Sequence, residues 1–382
     1  MRRIFIGLTL FALLCAPLSG RAWETLCKGV SVDQTVYDFG DIVLNSGPVS
    51  CTFTLRNDST QALLIDRVTT SCGCTSAQWS NRPIQPGQSG SISITYKNDE
   101  GAFPFDKSIS VYLSSNERAC ILKVRGVCHE KPVVLEEAYN QRLGGKLGVK
   151  SPDIKGGVLE QGGQRSECFL LANLSDKPVT LDFSNTPKQV KVRNLPMTIP
   201  ARQTARVDFC VSSDEKLWGK NHYILTPVID GQPAEERLDI WAVTQMNTSR
   251  LSPEEKRSGP RISFKQSTYA FGKAKKGQIK ECTFSFSNNG KAPLEIYKID
   301  ADEGIIGQEI RPDGQPKAGS QAAGSKQATS DYPVLQPGES ATLTVRFDTG
   351  KLSKGETLLQ LRLVTNAPLR PLADVFISGW IE

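Results

Sequence analysis

The chain has 382 residues, of which 46 are Lys or Arg, 40 are Asp or Glu, 10 are Cys and only 2 are His. This length predicts two or three domains, because a single hydrophobic core rarely grows beyond about 250–300 residues. The net charge of +6 argues against a nucleic-acid-binding protein, which would concentrate many more basic residues on one face. Two histidines exclude a histidine-rich metal site and disfavour enzymes whose catalysis depends on His.

The first 22 residues have the organisation of a secretory signal peptide. Two arginines precede an apolar run over residues 4–14, and Gly20 and Ala22 follow as small residues before the expected cleavage site. The apolar run is too short for a transmembrane helix, which needs about 20 residues. The residue before Cys15 is a leucine, where a lipoprotein signal requires Gly or Ala, so we expect no lipid anchor at Cys15. The sequence therefore predicts an exported protein without a transmembrane segment, located in the periplasm, at the cell surface or outside the cell.

The chain contains an internal repeat, and a more divergent copy lies between the two matching segments. The matched pairs are YDFG at 37–40 with YAFG at 269–272, CTFTLRN at 51–57 with CTFSFSN at 282–288, and Pro-Gly at 86–87 with Pro-Gly at 337–338. The intervening copy is represented by CFLLAN at residues 168–173. Three related units follow one another along the chain.

Within each copy, apolar residues alternate with polar ones along short segments, as at Phe53 and Leu55 or at Ile92 and Ile94. Turn residues such as those at 57–59 separate these segments. No longer stretch keeps a helical period. The pattern predicts an all-β protein of three tandem immunoglobulin-like β-sandwich domains, since that fold takes about 100 residues.

The repeats also set the domain boundaries. They give a signal peptide (1–22), an immunoglobulin-like domain with a Cys-Gly-Cys motif (23–130), a divergent immunoglobulin-like domain (131–248), a linker (249–260) and a third immunoglobulin-like domain (261–382). The offset between the outer copies grows from 231 residues at the matched cysteines to 251 at the Pro-Gly turn. The third domain therefore carries extra residues, which we place in a flexible loop over residues 303–331, rich in Gly, Ala, Ser and Gln.

One succession of motifs in the first copy is distinctive: Asp-Phe-Gly at 38–40, Phe-x-Leu-x-Asn at 53–57, Cys-Gly-Cys-Thr at 72–75 and Pro-Ile-Gln-Pro-Gly at 83–87. It resembles a bacterial family called domain of unknown function 1573, common in exported Bacteroidetes proteins and related to hydin/MSP-like immunoglobulin folds. The resemblance covers residues 34–128 well and 264–380 partly. In the third copy, Glu-Gly-Ile at 303–305 stands in place of Cys-Gly-Cys, which removes any thiol function there. The family has no established activity, so the resemblance implies a fold and a compartment only.

Nine cysteines remain after cleavage, and strand topology limits how they can pair. Consecutive strands of a sandwich alternate in direction, so each strand end belongs to one pole of the domain. Cys27 and Cys120 then share one pole of the first domain. Cys168 and Cys210 share a pole of the middle domain, where their strands are expected to be neighbours. These two pairs are our candidates for disulfides in an oxidising compartment.

The Cys-Gly-Cys motif at Cys72 and Cys74 leaves several interpretations open. The same topology places Cys128 and its neighbour His129 at the pole of this motif. One interpretation is a disulfide from one of the two cysteines to Cys128 or Cys51. A second is a site for Zn²⁺ or Cu⁺ formed by Cys72, Cys74, Cys128 and His129, since four N and S ligands suit these ions. A third is a redox pair, in which the intervening glycine eases a tight turn.

The remaining candidate residues favour structural roles. Cys51 and Cys282 occupy equivalent positions on the apolar side of matched strands, which predicts small buried hydrophobic residues. His222 lies on a predicted strand without a recognisable catalytic partner. The sequence contains no phosphate-binding glycine loop, nucleophile elbow or metalloprotease helix.

We therefore expect a non-catalytic, exported structural or protein-binding protein of the bacterial cell envelope, without a cofactor. Its partners would be other envelope or surface proteins, bound through sandwich edges and interstrand loops, because edge strands expose backbone groups that another chain can pair with. The alternative is thiol-based binding of Cu or Zn, or a redox role, at Cys72 and Cys74.

Overall fold

A computed structural model of the chain describes residues 24–27, 29–114, 116–214, 216–249, 251–314 and 332–382. Strands account for 59% and helices for 4% of the structure, which confirms the predicted all-β fold built from several β-sandwiches. The chain divides into two compact units, Met1–Glu130 and Lys131–Glu382. The predicted signal peptide (1–22), with Cys15, and residues 315–331 of the predicted loop lie outside the described residues. Within the described ranges, no helix has the length and hydropathy needed to cross a membrane.

The first unit is a sandwich of nine strands: β1 (Glu24–Cys27), β2 (Val30–Val32), β3 (Val36–Val43), β4 (Val49–Asn57), β5 (Ile65–Thr70), β6 (Thr75–Trp79), β7 (Ser89–Tyr96), β8 (Pro104–Leu113) and β9 (Asn116–His129). One sheet has the order β1-β2-β4-β7-β6 and the other β3-β9-β8-β5. The alternating residues Phe53, Leu55, Ile92 and Ile94 are fully buried between the sheets, as their period of two predicts.

The second unit begins with the middle sandwich, which contains α1 (Leu135–Ala138), β10 (Gln141–Leu143), β11 (Leu147–Val149), β12 (Asp153–Glu160), β13 (Gln164–Asn173), β14 (Val179–Ser184), β15 (Val190–Val192), β16 (Met197–Ile199), β17 (Thr204–Ser212), β18 (Gly219–Ile229), β19 (Gln232–Pro233) and β20 (Leu238–Gln245). Its sheets have the orders β10-β11-β13-β17-β15 and β12-β20-β18-β14-β16, with β19 paired to β18. The apolar faces of the two sheets meet in one core.

The third sandwich follows α2 (Pro253–Ser258) and contains β21 (Ile262–Phe264), β22 (Thr268–Ala274), β23 (Ile279–Asn288), β24 (Ile296–Ala301), β25 (Ile305–Pro312), β26 (Ser340–Asp348), a short 3₁₀ helix (Thr349–Lys351), β27 (Gly355–Thr365) and β28 (Leu372–Ile381). Its sheets are β21-β23-β26-β25 and β22-β28-β27-β24. The flexible loop predicted over residues 303–331 therefore begins too early, because Ile305–Pro312 forms an edge strand paired with β26.

The segment predicted as a linker, residues 249–260, contains helix α2. Ser252 caps this helix: its side chain accepts a hydrogen bond from the Glu255 backbone N–H at 3.2 Å. The Glu255 carboxylate in turn accepts from the Ser252 backbone N–H at 2.7 Å. This reciprocal capping box satisfies two backbone donors that a helix leaves unpaired at its start.

In each sandwich, a glycine lies at an irregularity in the hydrogen-bonded ladder between two parallel strands. Strands β3, β12 and β22 run parallel to β9, β20 and β28, and each of these ladders is irregular at one point. Gly40, Gly157 and Gly272 lie at these irregularities with φ of 70°, 77° and 69°, a left-handed conformation that glycine adopts without strain. In the first sandwich, the Asp38 carboxylate accepts hydrogen bonds from the Gly40 backbone N–H at 2.9 Å and from Arg125 at 2.8 Å. The Asp-Phe-Gly motif is thus a structural bulge.

A buried asparagine closes the same turn in all three sandwiches. Asn57, Asn173 and Asn288 end strands β4, β13 and β23, and each is 0% exposed. Each side-chain amide donates two hydrogen bonds of 2.7–3.0 Å. One goes to the carbonyl four residues later, and the other goes to the carbonyl of Ile84, Ile199 or Leu335, respectively. Each side-chain oxygen accepts from the backbone N–H two residues later, at 2.9–3.0 Å. This shared network shows that the divergent middle domain has the local structure of the other two.

The two sandwiches of the second unit contact each other between the start of β18 and strand β24. The rings of Trp218 and Tyr297 stack with centroids 4.2 Å apart and planes inclined by 11°. The Lys220 backbone N–H donates to Asp300 at 2.6 Å, and the Lys298 ammonium donates to the Lys220 carbonyl at 2.7 Å. Burial raises the pKa of Tyr297 to about 12, with the Glu295 carboxylate adding to the effect. This contact connects the middle and third domains directly.

Candidate thiol site and sheet edge of the first sandwich

The Cys-Gly-Cys motif forms the turn between β5 and β6. Cys72 and Cys74 are joined by a disulfide whose Cα atoms lie 5.3 Å apart, a separation within the usual range for disulfides. Thr70, the last residue of β5, donates its hydroxyl to the carbonyls of Cys72 and Thr75 at 3.0 Å each. Gly73 is exposed, and no other residue lies within 4 Å of the position that a Cβ would occupy. The turn is therefore anchored at both ends and unobstructed at its tip.

A small apolar cluster supports the disulfide from below. Cys74 is buried against Tyr96 and Phe105, and Cys72 packs against the same cluster. The rings of Tyr96 and Phe105 stack with centroids 4.0 Å apart and planes inclined by 15°. The Thr75 hydroxyl lies 3.4 Å from the Cys72 Sγ and 3.6 Å from the Cys74 Sγ. The disulfide thus packs on an apolar cluster, and both of its sulfurs lie near the Thr75 hydroxyl.

Glu100 brings a carboxylate to the two sulfurs. One of its oxygens and the Sγ atoms of Cys72 and Cys74 all lie within 4.8 Å of one another. The Lys107 ammonium donates to Glu100 Oε2 at 2.8 Å, which fixes the orientation of the carboxylate. Glu100 is exposed in the middle of the loop between β7 and β8, so this side of the cluster faces solvent.

Tyr96 contributes an unusual buried hydroxyl. The residue is 0% exposed, and its hydroxyl oxygen has no hydrogen-bond partner among the described residues. Burial raises the pKa of this hydroxyl, and the nearby Glu100, Cys128 and Asp99 raise it further. The apolar cluster beside the disulfide therefore contains one buried polar atom that is left unsatisfied.

Cys128 and His129 do not join the cluster formed by Cys72, Cys74 and Glu100. Consecutive residues of a strand point to opposite faces of its sheet. Cys128 accordingly lies inside the sandwich at 2% exposure, whereas the His129 ring pairs with the Asp41 carboxylate at 2.8 Å. The predicted four-ligand set of Cys72, Cys74, Cys128 and His129 is therefore not assembled, and Glu100 is the residue that lies beside the two disulfide sulfurs.

The structure contains one of the two predicted disulfides and not the other. Cys27 and Cys120 are joined, with Cα atoms 6.1 Å apart. Cys168 and Cys210 are buried thiols on the adjacent strands β13 and β17. Cys168 lies opposite Asp208, two residues away from Cys210. Such diagonal neighbours have Cα atoms about 7–8 Å apart, which is beyond the reach of a disulfide. This pairing prediction is therefore corrected by the strand register.

Cys51 and Cys282 are buried at the equivalent places expected from the repeat. Cys51 belongs to the core of the first sandwich and Cys282 to the core of the third. Burial raises the pKa of Cys282 from 9.0 to about 12, and Glu281 contributes in the same direction. A thiol in such surroundings stays protonated and inert.

One open edge of the first sandwich begins at the same turn. β6 is the terminal strand of its sheet, and β5 is the terminal strand of the other. The Ser80 backbone N–H donates to the Ser91 carbonyl at 3.0 Å, so the alternation of an antiparallel ladder turns the N–H and C=O groups of Ala77 and Trp79 away from β7. A surface recess lies beside this edge, lined by Leu64, Ile65, Asp66, Gln78, Trp79 and Asn81.

Sequence reasoning located the Cys-Gly-Cys motif but missed Glu100 and Tyr96. These residues approach the motif because β6 pairs with β7 in a register that places Thr75 opposite Tyr96. The sequence offers one relevant signal. A tyrosine ends an alternating apolar strand, and two acidic residues follow it three and four positions later. Without the register, nothing in that signal connects it to the cysteines.

Several solved structures align with this chain at low sequence identity. A protein of unknown function from Porphyromonas gingivalis W83 aligns with 62% of this chain and 100% of its own, with 12% identity and a TM-score of 0.46. WR4, an MSP family member from C. elegans, aligns with 26% of this chain and 99% of its own, with 7% identity and a TM-score of 0.20. The periplasmic chaperone SfaE aligns with 56% of this chain and 99% of its own, with 9% identity and a TM-score of 0.23. No curated protein matches the chain significantly.

A family model also matches the chain in two regions. The first covers residues 30–128 and contains the whole thiol site, the open edge and the Asp-Phe-Gly bulge. The second covers residues 262–321, in the third sandwich. These matches confirm the resemblance predicted from the motifs of the first copy, to the family described as protein of unknown function (DUF1573).

Proposed function

We propose that this chain is an exported, non-catalytic protein of the bacterial cell envelope that binds other proteins by strand addition. The binding element is β6 of the first sandwich. An extended segment of a partner would pair with the outward backbone groups of Ala77 and Trp79 and place alternate apolar side chains in the neighbouring recess. Backbone pairing would supply affinity, and the recess would supply selectivity.

The observation that carries this proposal is that β6 lacks the usual protection of an edge strand. Natural edge strands are blunted by charged residues, by proline or by being very short. Residues 75–79 (TSAQW) contain neither a charge nor a proline. The corresponding edge strand of the third sandwich, β25, carries Glu309 and Arg311 as an ion pair and ends at Pro312. In the middle sandwich, β15 has only three residues.

Both histidines have structural surroundings, which supports a non-catalytic role. His129 pairs with Asp41 between the parallel strands β9 and β3. The His222 ring stacks on Trp241 with centroids 4.1 Å apart and bonds to Asp239 at 2.5 Å. Each imidazole is thus fixed to a strand by a carboxylate.

The test introduces a photo-crosslinking amino acid at Gln78, whose side chain faces solvent on β6, in the native bacterium. We expect a covalent adduct that maps to one extended segment of a partner. A synthetic peptide of that segment should then bind the purified chain and protect the amides of Ala77 and Trp79 from hydrogen exchange. Protection at these amides distinguishes strand addition from a contact through side chains alone.

Ala77→Pro is the decisive variant, because it removes an outward N–H while leaving the ladder to β7 intact. Loss of a backbone hydrogen bond and of close approach should weaken peptide binding at least about tenfold, which corresponds to 1.4 kcal/mol. The matched control is Gln308→Pro, at an outward position of β25, which should leave binding unchanged. Unchanged binding by a folded Ala77→Pro variant would refute strand addition at β6.

The proposed location rests on the first 22 residues. Fractionation of the native organism should recover a chain that begins at Trp23 in the periplasm, at the surface or in the medium. Recovery of a cytosolic chain that retains Met1 would overturn the proposed export.

A further inference from the structure

We propose that Cys72, Cys74 and Glu100 form a site for one Zn²⁺ ion when the disulfide between the two cysteines is reduced. This inference goes beyond the proposed protein-binding function, because its ligands lie outside β6: Cys72 and Cys74 are in the turn before that strand and Glu100 is in the loop after β7. It also differs from the ligand set predicted from the sequence, since Glu100 replaces Cys128 and His129.

The geometry provides three ligands on one side of the molecule. The Sγ atoms of Cys72 and Cys74 and an oxygen of Glu100 lie within 4.8 Å of one another. Zn²⁺ binds thiolate sulfur at about 2.3 Å and carboxylate oxygen at about 2.0–2.2 Å, so one ion can be bound by all three atoms once the two sulfurs are no longer bonded to each other. The sulfurs must separate after reduction, and the open space around Gly73 allows the tip of the turn to adjust.

The surroundings of the thiols favour a cation. Asp99 and Glu100 are adjacent exposed carboxylates in the loop after β7, and Glu100 lies beside both sulfurs. The Lys107 ammonium is bonded to one oxygen of Glu100 at 2.8 Å, and a carboxylate has a second oxygen with which to bind a metal ion. Tyr96, in the same apolar cluster as Cys74, has a buried hydroxyl without a hydrogen-bond partner among the described residues.

The combination of two thiolates and one carboxylate favours Zn²⁺ over Cu⁺. Two thiolates alone suit Cu⁺, whereas carboxylate oxygen is a poor ligand for that soft ion. Two thiolates, a carboxylate and solvent make a four-coordinate set of the kind that Zn²⁺ accepts. Glu100 is therefore the residue that distinguishes the two ions.

Binding is coupled to the redox state of the cysteines. An external dithiol breaks the S–S bond, donates two electrons and two protons, and itself becomes a disulfide. Each cysteine is then a thiol, and Zn²⁺ binding releases the two thiol protons as the thiolates form. Oxidation of the pair reverses the process and expels the ion.

The experiment measures Zn²⁺ binding by the purified full chain, before and after reduction with a phosphine that does not bind the ion. Competition with a chromophoric chelator gives the affinity and the stoichiometry. We expect one ion per chain after reduction and less than a tenth of that in the oxidised protein. Cobalt substituted for zinc should show the charge-transfer absorption of thiolate ligands.

Three variants decide the assignment. Cys72→Ser/Cys74→Ser should abolish binding. Glu100→Gln, an exposed change that does not threaten folding, should weaken Zn²⁺ binding at least tenfold and leave Cu⁺ binding unchanged. Asp99→Asn is the matched control, an adjacent exposed carboxylate outside the cluster, and should change Zn²⁺ affinity by less than threefold. Reduced protein that binds no Zn²⁺, Zn²⁺ retained by the double variant, or equal effects of the Glu100 and Asp99 changes would each overturn the proposal.

Discussion

Asn57 offers the sharpest test of how these sandwiches are held together. Its side chain is fully buried and makes four hydrogen bonds: the amide donates to the carbonyls of Gln61 and Ile84 at 2.7 and 2.8 Å, and the oxygen accepts from the backbone N–H and the hydroxyl of Ser59 at 2.9 and 2.7 Å. Asn57→Ala removes all four. Because the Ile84 carbonyl retains a backbone bond from Leu63, the groups left behind are not wholly unpaired.

A net value of about 0.5–1.5 kcal/mol for each of the four hydrogen bonds predicts that Asn57→Ala lowers the free energy of unfolding of the first sandwich by roughly 2–6 kcal/mol. Urea titration read by hydrogen exchange and mass spectrometry resolves this loss in the peptides of the first unit. The control is Asn81→Ala, an exposed asparagine of the same domain, which should change stability by less than about 0.5 kcal/mol. A loss at Asn57 below about 1 kcal/mol would show that the repeated asparagine is not the structural closure we infer.

Two further predictions concern the second unit. Cys282 in the folded chain should react with iodoacetamide at pH 9 about 500 times more slowly than in urea, because a pKa raised from 9.0 to about 12 keeps the thiol protonated. Equal reaction rates in the folded and urea-unfolded chain would contradict this burial of the thiol. Since the folded pKa lies above the unfolded one, the stability contributed by this thiol is present below pH 9 and is lost between pH 9 and about 12. Trp218→Ala removes the ring stack on Tyr297. Calorimetry of this variant should show the middle and third sandwiches unfolding in two separate transitions instead of one. A single unchanged transition would show that the stack does not couple them.

The fold could be predicted from the sequence because its cause is local. Alternation at positions such as Phe53 and Leu55 specifies which face of a strand is buried, and the repeated motifs specify where each sandwich begins. The start of the predicted loop was wrong because the edge strand Ile305–Pro312 buries only Ile310 and so has no alternating pattern by which the sequence could reveal it.

The site was harder to predict because its contacts depend on register between strands distant in the sequence. A two-residue offset separates Cys168 from Cys210, although both lie on neighbouring strands as expected. Cys128 and His129 are adjacent in the sequence and for that reason point to opposite faces of β9. Glu100 reaches the Cys-Gly-Cys turn only through the pairing of β6 with β7. Topology places a residue at one end of a sandwich, but register decides what it touches.

The parallel pairing of β3 with β9 also governs when the first sandwich can be completed. A ribosome delivers the chain from its N-terminus, so β3 is made long before the strand that lies beside it. Cys27 likewise waits for Cys120, which is 93 residues later. Until β9 has emerged, β3 has an unpaired edge and Cys27 a reactive thiol. A translational pause placed before β9 would prolong this interval and with it the exposure of the nascent domain to aggregation.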